Sequence, residues 1–513
     1  RQGMGLHRLP CDTEEKFSRC SDVSAARTEG ELQVIEEQTR PKRLGLGGQR
    51  GLLTLLLTGA LAIALAAPAA AIDFSVDGDG EVKVATDTAC PTLTSPPEPF
   101  EAWLNTDDFE KRGYLDPKNQ TPWSFASRMA QVICGTADNA TIKIGFFFIR
   151  ALGTMTEAGL GSRPESDPEV IWDALQYVHD KRGVTVQVVI DKGSTTGSAL
   201  DKVKQRLVST GIVDSIYLCY NGCFNTNSKS VFPYALNHEK FITISDTNYP
   251  GETSGVHPVV MQSSGNIARS QIRTYLQEAT VFYDDYTMWD LLQARADGMV
   301  YCAKSNTKCK SSSGVPSGHG LTLRKSRGIW VDTAIRHYTD PDRGTAIAFS
   351  PQPTSTADYY ISQFDGVDCA VDSRIRIAMF KMTDEKSATM VKSLASLQKR
   401  GCDVQILMSR SYGSTVFSSK VLKTLKSAKI PFKCAAFPMH TKLILIGPKY
   451  SNSGRILTGT ANMSVAGLRY SEEHVITIDT RRAVGEYQES AQRLFGEYMT
   501  QWYELSQGGR TCK

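Results

Sequence analysis

The chain lacks a charge excess of either sign. Over 513 residues, 58 Lys and Arg face 54 Asp and Glu, for a formal net charge of +4. So even a balance does not announce nucleic acid as a partner, and it leaves the substrate open. It also lacks an apolar run of bilayer length. The run Leu52 to Ala67 has 16 residues, against the roughly 20 that span a membrane. Near Cys219, Cys223 and His238, no second Cys/His pair has ligand spacing, so zinc is the weaker reading of that group. What is present is ordinary for a folded chain. Hydrophobic residues make up 41% and charged residues 22%, which excludes a disordered or multi-span chain. The length leaves room for two or more domain-sized units.

Residues 1–71 read as a leader. Lys42, Arg43 and Arg50 precede the apolar core 52–67, and Ala69-Ala70-Ala71 follows it. A basic start, a short apolar centre and a small-residue cleavage site are the parts of a secretory signal peptide. An uncleaved membrane anchor is the competing reading. The stretch ahead of Val34 is expected to be upstream read-through, because secretory signals open a chain. Cysteine usage agrees with export to a secreted, extracellular location. With Cys11 and Cys20 in the leader, ten of the 12 Cys remain after it, an even number suited to disulfides in an oxidising compartment. Cys219/Cys223 and Cys302/Cys309 look like local staples.

The chain also repeats itself. IKIGFFFIR (Ile142 to Arg150) precedes a helical stretch, Glu165 to Lys181, and then VTVQVVID (Val184 to Asp191). IRIAMFKM (Ile375 to Met382) precedes Glu385 to Lys399 and then CDVQILMS (Cys402 to Ser409). A helical segment (Ala199 to Val208; Ser418 to Ala428) and a cysteine-bearing strand follow each. Alternating strands and helices predict parallel pairing with crossover helices, hence two similar α/β lobes. The spacing predicts an N-terminal extension at 72–122, a first lobe at 123–300, a linker at 301–350 and a second lobe at 351–513.

The two copies match best at their ends. ALNHEKFITIS, VVMQSSGNI and QEATVFYDD correspond to FPMHTKLILIG, RILTGTANM and SEEHVITIDT. The offsets are 202 for His238 and His440, 196 for Asn266 and Asn462, and 195 for Glu278 and Glu473. In His238-Glu239-Lys240 and His440-Thr441-Lys442, period-2 alternation puts His and Lys on one strand face. Ser264 and Asn266, and Thr460 and Asn462, repeat that spacing. Each copy offers a titrating base, a cation, a hydroxyl and an amide, an inventory suited to an anionic tetrahedral group. One H-x-K means little; two in a duplicated frame carry weight.

These residues resemble the phospholipase D superfamily, whose signature is H-x-K-x4-D followed by G-S-x-N. The resemblance runs from about Trp123 to Trp502. It implies an α/β, phospholipase D-like fold of two similar α/β/α lobes related by a pseudo-dyad, with both motifs in one site. It further implies His238 as nucleophile and His440 as acid/base, with a phosphohistidine intermediate. Lys240, Lys442, Asn266 and Asn462 would hold phosphate oxygens. A carboxylate would orient each His, with Glu473 and Glu278 in that position and Glu472 competing with Glu473. Ser264, Thr460 and Asp246 would be supporting residues. Neither a cofactor nor a metal is implied.

The copies depart from the family at three places. The Asp position falls on Ser245 and Gly447, with Asp246 one place later, and Ser263 stands where the family has Gly. The leading expectation is a secreted phosphodiesterase of the phospholipase D type, a hydrolase of phospholipids that also has scope for transphosphatidylation. Tyr220, Phe224, Phe232 and Tyr234 are candidates for transient contact with a membrane surface. The alternatives are an extracellular nuclease acting on nucleic acid and a catalytically silent phosphate- or lipid-binding protein. Without the leader's nine cations and eight anions the balance is 49 to 46, which weighs weakly against a nucleic-acid groove. Two motifs in one chain make a monomer sufficient.

Overall fold

Two sheets of matching strand order position the site in the computed structural model of the chain. The described residues fall within 74–76, 82–84, 90–104, 124–150, 155–157, 161–163, 166–192, 197–224, 235–304, 323–353, 358–410 and 417–512, apart from a few short gaps. The expected leader, with its apolar core and Cys11 and Cys20, lies outside them. So do Phe232, Tyr234, Cys309 and residues 305–322 of the expected linker.

The first sheet holds β1 (Phe100–Leu104), β2 (Thr141–Phe146), β3 (Thr185–Asp191), β4 (Ile216–Cys219), β5 (Lys240–Ile244), β6 (Val259–Ser263) and β7 (Glu278–Tyr283). Their order is β1-β7-β6-β5-β2-β3-β4. The second holds β8 (His337–Tyr338), β9 (Thr345–Ser350), β10 (Arg374–Met379), β11 (Asp403–Met408), β12 (Phe432–Cys434), β13 (Lys442–Gly447), β14 (Arg455–Gly459) and β15 (Glu473–Asp479). Its order is β8-β9-β15-β14-β13-β10-β11-β12. With the edge strand β8 set aside, the second order repeats the first strand for strand.

Only part of each sheet is parallel. β2-β3-β4 and β10-β11-β12 pair in parallel, whereas the strands carrying the motifs pair antiparallel. The expected parallel pairing therefore holds where helices cross over: α2 (Ser166–Arg182) and α3 (Gly197–Leu207) in the first lobe, α6 (Glu385–Lys399) and α7 (Ser419–Ser427) in the second. Consecutive neighbours such as β5 and β6 need no crossover and run antiparallel. Two expected boundaries also move. β1 pairs with β7 and belongs to the first sheet, although it lies in the expected extension. β8 and β9 lie in the expected linker, yet β9 pairs with β15. The duplication includes one strand more than the motifs reveal.

Local sequence sets the helix starts. Asp384 caps α6, accepting the Ser387 N–H at 2.9 Å while the Ser387 hydroxyl accepts the Asp384 N–H at 3.4 Å, a reciprocal capping box. Ser418 caps α7 through the Val421 N–H at 3.2 Å. The remaining helices are α1 (Ser124–Cys134), α4 (Tyr286–Lys304), α5 (Tyr359–Asp365) and α8 (Gly485–Gln507).

The central strand β13 is buried throughout, and alternation sends its side chains to two cores. Ile444 and Ile446 join Ile375, Ile377, Val391 and Leu394 beneath α6. Leu443 and Leu445 join Val281, Phe282, Phe495 and Trp502 in a cluster running through both lobes. Across it Gln262 Nε2 donates to Thr458 Oγ1 at 3.0 Å, and Thr280 Oγ1 lies 2.7 Å from the Tyr498 hydroxyl. Ala69–Lys513 thus forms one compact unit. Disulfides pair Cys90 with Cys134, Cys219 with Cys223, Cys369 with Cys402 and Cys434 with Cys512. Pairing removes Cys219 and Cys223 as thiolate ligands, so the zinc reading of that group fails. Cys302 is also disulfide-bonded.

Candidate active site

Each H-x-K segment is tied to the opposite lobe just before its strand begins. The His238 N–H donates to the Glu472 carbonyl and the Glu472 N–H to the Leu236 carbonyl, both at 2.9 Å. The His440 N–H donates to the Leu276 carbonyl and the Leu276 N–H to the Pro438 carbonyl, both at 2.8 Å. Reciprocal pairing of this kind is what a pseudo-dyad requires. It brings the two imidazole rings to a centroid separation of 6.3 Å, leaving space for a tetrahedral group between them. A further pair holds each segment from behind. Asp191 Oδ2 accepts the Asn237 N–H, and Ser409 Oγ accepts the Met439 N–H, both at 2.9 Å.

The two histidines differ in what holds them. Glu473 Oε2 lies 2.7 Å from His238 Nδ1, so the second lobe supplies the carboxylate for the first lobe's imidazole. That contact fixes the ring and leaves Nε2 toward the site. His440 Nδ1 instead donates to the Ser264 carbonyl at 2.6 Å, with Lys442 Nζ 2.9 Å away. Glu278 does not reach His440. Its Oε1 accepts the Lys442 N–H at 3.1 Å and the Thr458 hydroxyl at 3.2 Å. The expected orienting role of Glu278 is therefore corrected to support of the strand carrying Lys442. Glu472 faces away, accepting the Phe224 N–H at 2.9 Å.

Burial dominates the electrostatics of these groups. It pushes both imidazoles well below their usual range, with Lys240 and Lys442 adding repulsion. Burial brings the Lys240 ammonium down to about 7 against the pull of Glu473 and Glu239. Lys442 is also lowered well below its ordinary range, by burial first and then by Lys240. Burial raises Glu473 well above the carboxylate range, and Glu278 to about 7. Two cations and two bases packed this tightly favour an anion among them, whose charge would offset each of the cationic shifts. The Lys240 ammonium donates to the His238 carbonyl at 2.7 Å, and the Lys442 ammonium to the His440 carbonyl.

Asn266 Oδ1 accepts the Phe148 N–H at 3.3 Å. The Asn462 carbonyl oxygen is buried and has no partner among the described residues. The hydroxyls of Ser264 and Thr460, expected as supporting groups, bond within the turns. Ser264 Oγ donates to Gln277 at 3.0 Å and accepts the Glu278 N–H at 2.9 Å, while Thr460 Oγ1 accepts the His474 N–H at 3.0 Å. They tie the turns, and the Ser264 carbonyl touches the imidazole.

The departures from the family pattern have structural answers. Ser245 Oγ accepts the Thr141 N–H at 2.8 Å, a task open to any short acceptor. At Gly447 a Cβ would stand 2.4 Å from the Ser453 carbonyl and 3.0 Å from Phe495, so an aspartate has no room. Asp246 accepts the His257 N–H at 2.8 Å beyond the far end of β5 and takes no part in the site. Gly459 needs its φ of +144°, and a Cβ there would meet the His474 carbonyl at 2.4 Å. Its counterpart Ser263 pairs in register with Ala279 and lacks that constraint.

Several neighbours of the site were not singled out from the sequence. The Phe147 ring lies 5.0 Å from His238 and the Phe380 ring 4.5 Å from His440. Both follow corresponding strands, and aligning IKIGFFFIR with IRIAMFKM puts them opposite each other, so the repeat carried the signal. Behind the site, Glu239 accepts from Arg295 Nε at 3.1 Å and lies 2.5 Å from His474 Nδ1, all three buried. Of the expected surface aromatics, Tyr220 is exposed and lies beneath the Lys192 ammonium, 4.1 Å from the ring centre. Phe224 is fully buried against Arg295 and is no surface contact.

The family model for the cardiolipin synthase, PLD-like domain matches residues 369–495. No curated protein sequence matches the chain. Among solved structures, Nuc from Salmonella typhimurium, a phospholipase D family member, is 20% identical, with 32% of this chain and 95% of that chain covered at a TM-score of 0.25. Phosphatidylserine synthase of Haemophilus influenzae Rd KW20 is 11% identical, with 74% and 84% covered at a TM-score of 0.45. Yeast tyrosyl-DNA phosphodiesterase is 10% identical, with 69% and 87% covered at a TM-score of 0.41. The family match falls on the second lobe, and the first lobe repeats its strand order and its His, Lys and Asn positions. Through residues 369–495 the chain is similar to the PLD-like domain family.

Proposed function

We propose that the chain is a secreted phospholipase D-type phosphodiesterase acting on phospholipids. The observation that carries the chemistry is the facing pair of histidines with a carboxylate on only one of them. Nε2 of His238 attacks phosphorus, forming a P–N bond as the P–O bond to the leaving alcohol breaks. His440 donates its proton to that oxygen. In the second half His440 takes a proton from water, the water oxygen bonds to phosphorus, and the P–N bond breaks. An alcohol in place of water gives transfer. Lys240, Lys442 and the Asn266 amide hold the non-bridging oxygens as charge builds on them.

Phospholipid is favoured by the phenylalanines at the rim. Phe147, Phe148 and Phe380 are all half-buried around the two histidines, an apolar mouth suited to a substrate with a lipid body. The near-neutral charge adds no phosphate-tracking surface. Export rests on the leader and on the disulfides that follow it.

Purified chain assayed in parallel on vesicles containing both phosphatidylcholine and phosphatidylserine and on single-stranded DNA tests the reading. Release of a head-group alcohol without DNA cleavage, lost in both His238→Ala and His440→Ala, is the expected result. DNA cleavage alone makes it a nuclease, and silence in both leaves a phosphate-binding protein.

A further inference from the structure

We propose that Phe380, Lys381 and Tyr275 form the leaving-group wall of the site, and that Lys381 selects an alcohol bearing its own anionic group, a carboxylate or a phosphate. The inference rests on the roles assigned above to His238 and His440.

The two rims begin alike. Phe147 follows β2 and Phe380 follows β10, each near its own lobe's histidine and with that lobe's lysine ammonium 5.6 Å or 5.4 Å from its ring centre. The next residue breaks the duplication. In the first lobe it is Phe148, edge-on to Phe147 at 5.5 Å. In the second it is Lys381, whose ammonium lies 4.9 Å from the centre of the Phe380 ring. Lys381 is half-buried, and among the described residues no carboxylate lies within ion-pairing distance of it. Its charge acts on both His440 and Lys442. Among the described residues, an ammonium without a carboxylate partner therefore stands on the acid/base side, at the position that Phe148 takes on the nucleophile side.

In-line displacement puts the leaving oxygen opposite His238 and beside His440. The group it carries then lies along Phe380 and Tyr275, whose ring is 6.0 Å from Phe380 and 5.7 Å from His440. An aromatic wall of this kind would ordinarily suit a quaternary ammonium. Here two lysine ammoniums already flank the Phe380 ring, and a third cation would meet their repulsion. A carboxylate or phosphate gains a charge-assisted hydrogen bond from Lys381 instead.

Calorimetric titration of the full chain with 3-phosphoglycerate and with glycerol 3-phosphate tests this. The two ligands share a phosphate and differ by a carboxylate in place of a hydroxymethyl group. The expected result is about tenfold tighter binding of 3-phosphoglycerate, the size of one charge-assisted contact. That ratio should fall to near one in Lys381→Met and persist in Lys381→Arg. Equal affinities in the native chain, or an unchanged ratio in Lys381→Met, would overturn the wall while leaving the phosphodiesterase reading in place. Absence of binding by both ligands would sink that reading and the wall together.

Discussion

Glu239 and His474 form a buried contact of 2.5 Å on the reverse of the two segments that carry His238 and Glu473 on the front. Both pairs are 235 residues apart, one register step from each other. On the front a histidine from the first lobe meets a carboxylate from the second, and on the reverse the order is exchanged. Arg295 from α4 closes the rear contact, reaching Glu239 at 3.0 Å and the Ser350 carbonyl. Burial alone would raise the Glu239 carboxyl, but His474 and Arg295 outweigh it and hold it low. The corresponding positions in the other half are Thr441 and Ala279, so only the nucleophile's side is locked this way.

Glu239→Gln leaves the Arg295 guanidinium buried without its carboxylate. Losing one partner of a buried ion pair costs about 3–5 kcal/mol. Denaturant unfolding should show a loss of that order, and Thr441→Ala a much smaller one. Equal losses would mean that the rear network does not hold the lobes in register.

Glu473→Gln and Glu278→Gln should separate sharply. The first removes the carboxylate from His238, and loss of such an orienting group lowers kcat by about 10³–10⁴-fold. The second removes contacts to the Lys442 N–H and Thr458 and should cost about tenfold or less. Steady-state kcat on one phosphodiester distinguishes them, and the reverse ranking would reassign the orienting carboxylate.

The pH profile follows from burial. His238, lowered well below 6.5, stays neutral and nucleophilic through mildly acidic pH. Lys240 is a cation below about 7 and loses its charge above it. His440 as acid and Lys442, both lowered by burial, must also hold their protons, so the free-enzyme profile of kcat/KM should peak on the acidic side of neutrality and fall by at least tenfold per pH unit above about 7. A profile flat from pH 7 to 9 would show that Lys240 keeps its charge.

Duplication was legible because each lobe repeats the same residue types at nearly constant offsets, and strands as apolar as β13 read plainly. The antiparallel half of each sheet was not, since periodicity marks a strand without marking its direction. Glu278 was misplaced for a related reason. Its offset from Glu473 matches, but both imidazoles meet the backbone of the opposite lobe, at Thr460 and Ser264, and only His238 gains a carboxylate besides. Glu239 drew no notice because it lies inside the motif, on the face that alternation turns away from His and Lys.

The disulfide Cys434–Cys512 fastens the residues after α8 to the edge strand β12 across a separation of 78 residues. Replacing both cysteines by serine should lower stability by about 2–4 kcal/mol, and breaking Cys219–Cys223, which closes a far shorter loop, should cost less. Thermal unfolding of the two double variants checks the order.

The central claim is that His238 carries the covalent intermediate. Acid-labile adducts trapped by rapid quenching during turnover of a slow phosphodiester, then located by peptide mass spectrometry, test it directly. The account predicts a phosphoryl-linked mass on the peptide containing His238 and none on the peptide containing His440. An adduct on His440 alone would reverse the roles, and turnover with no adduct at either histidine would contradict the two-step mechanism.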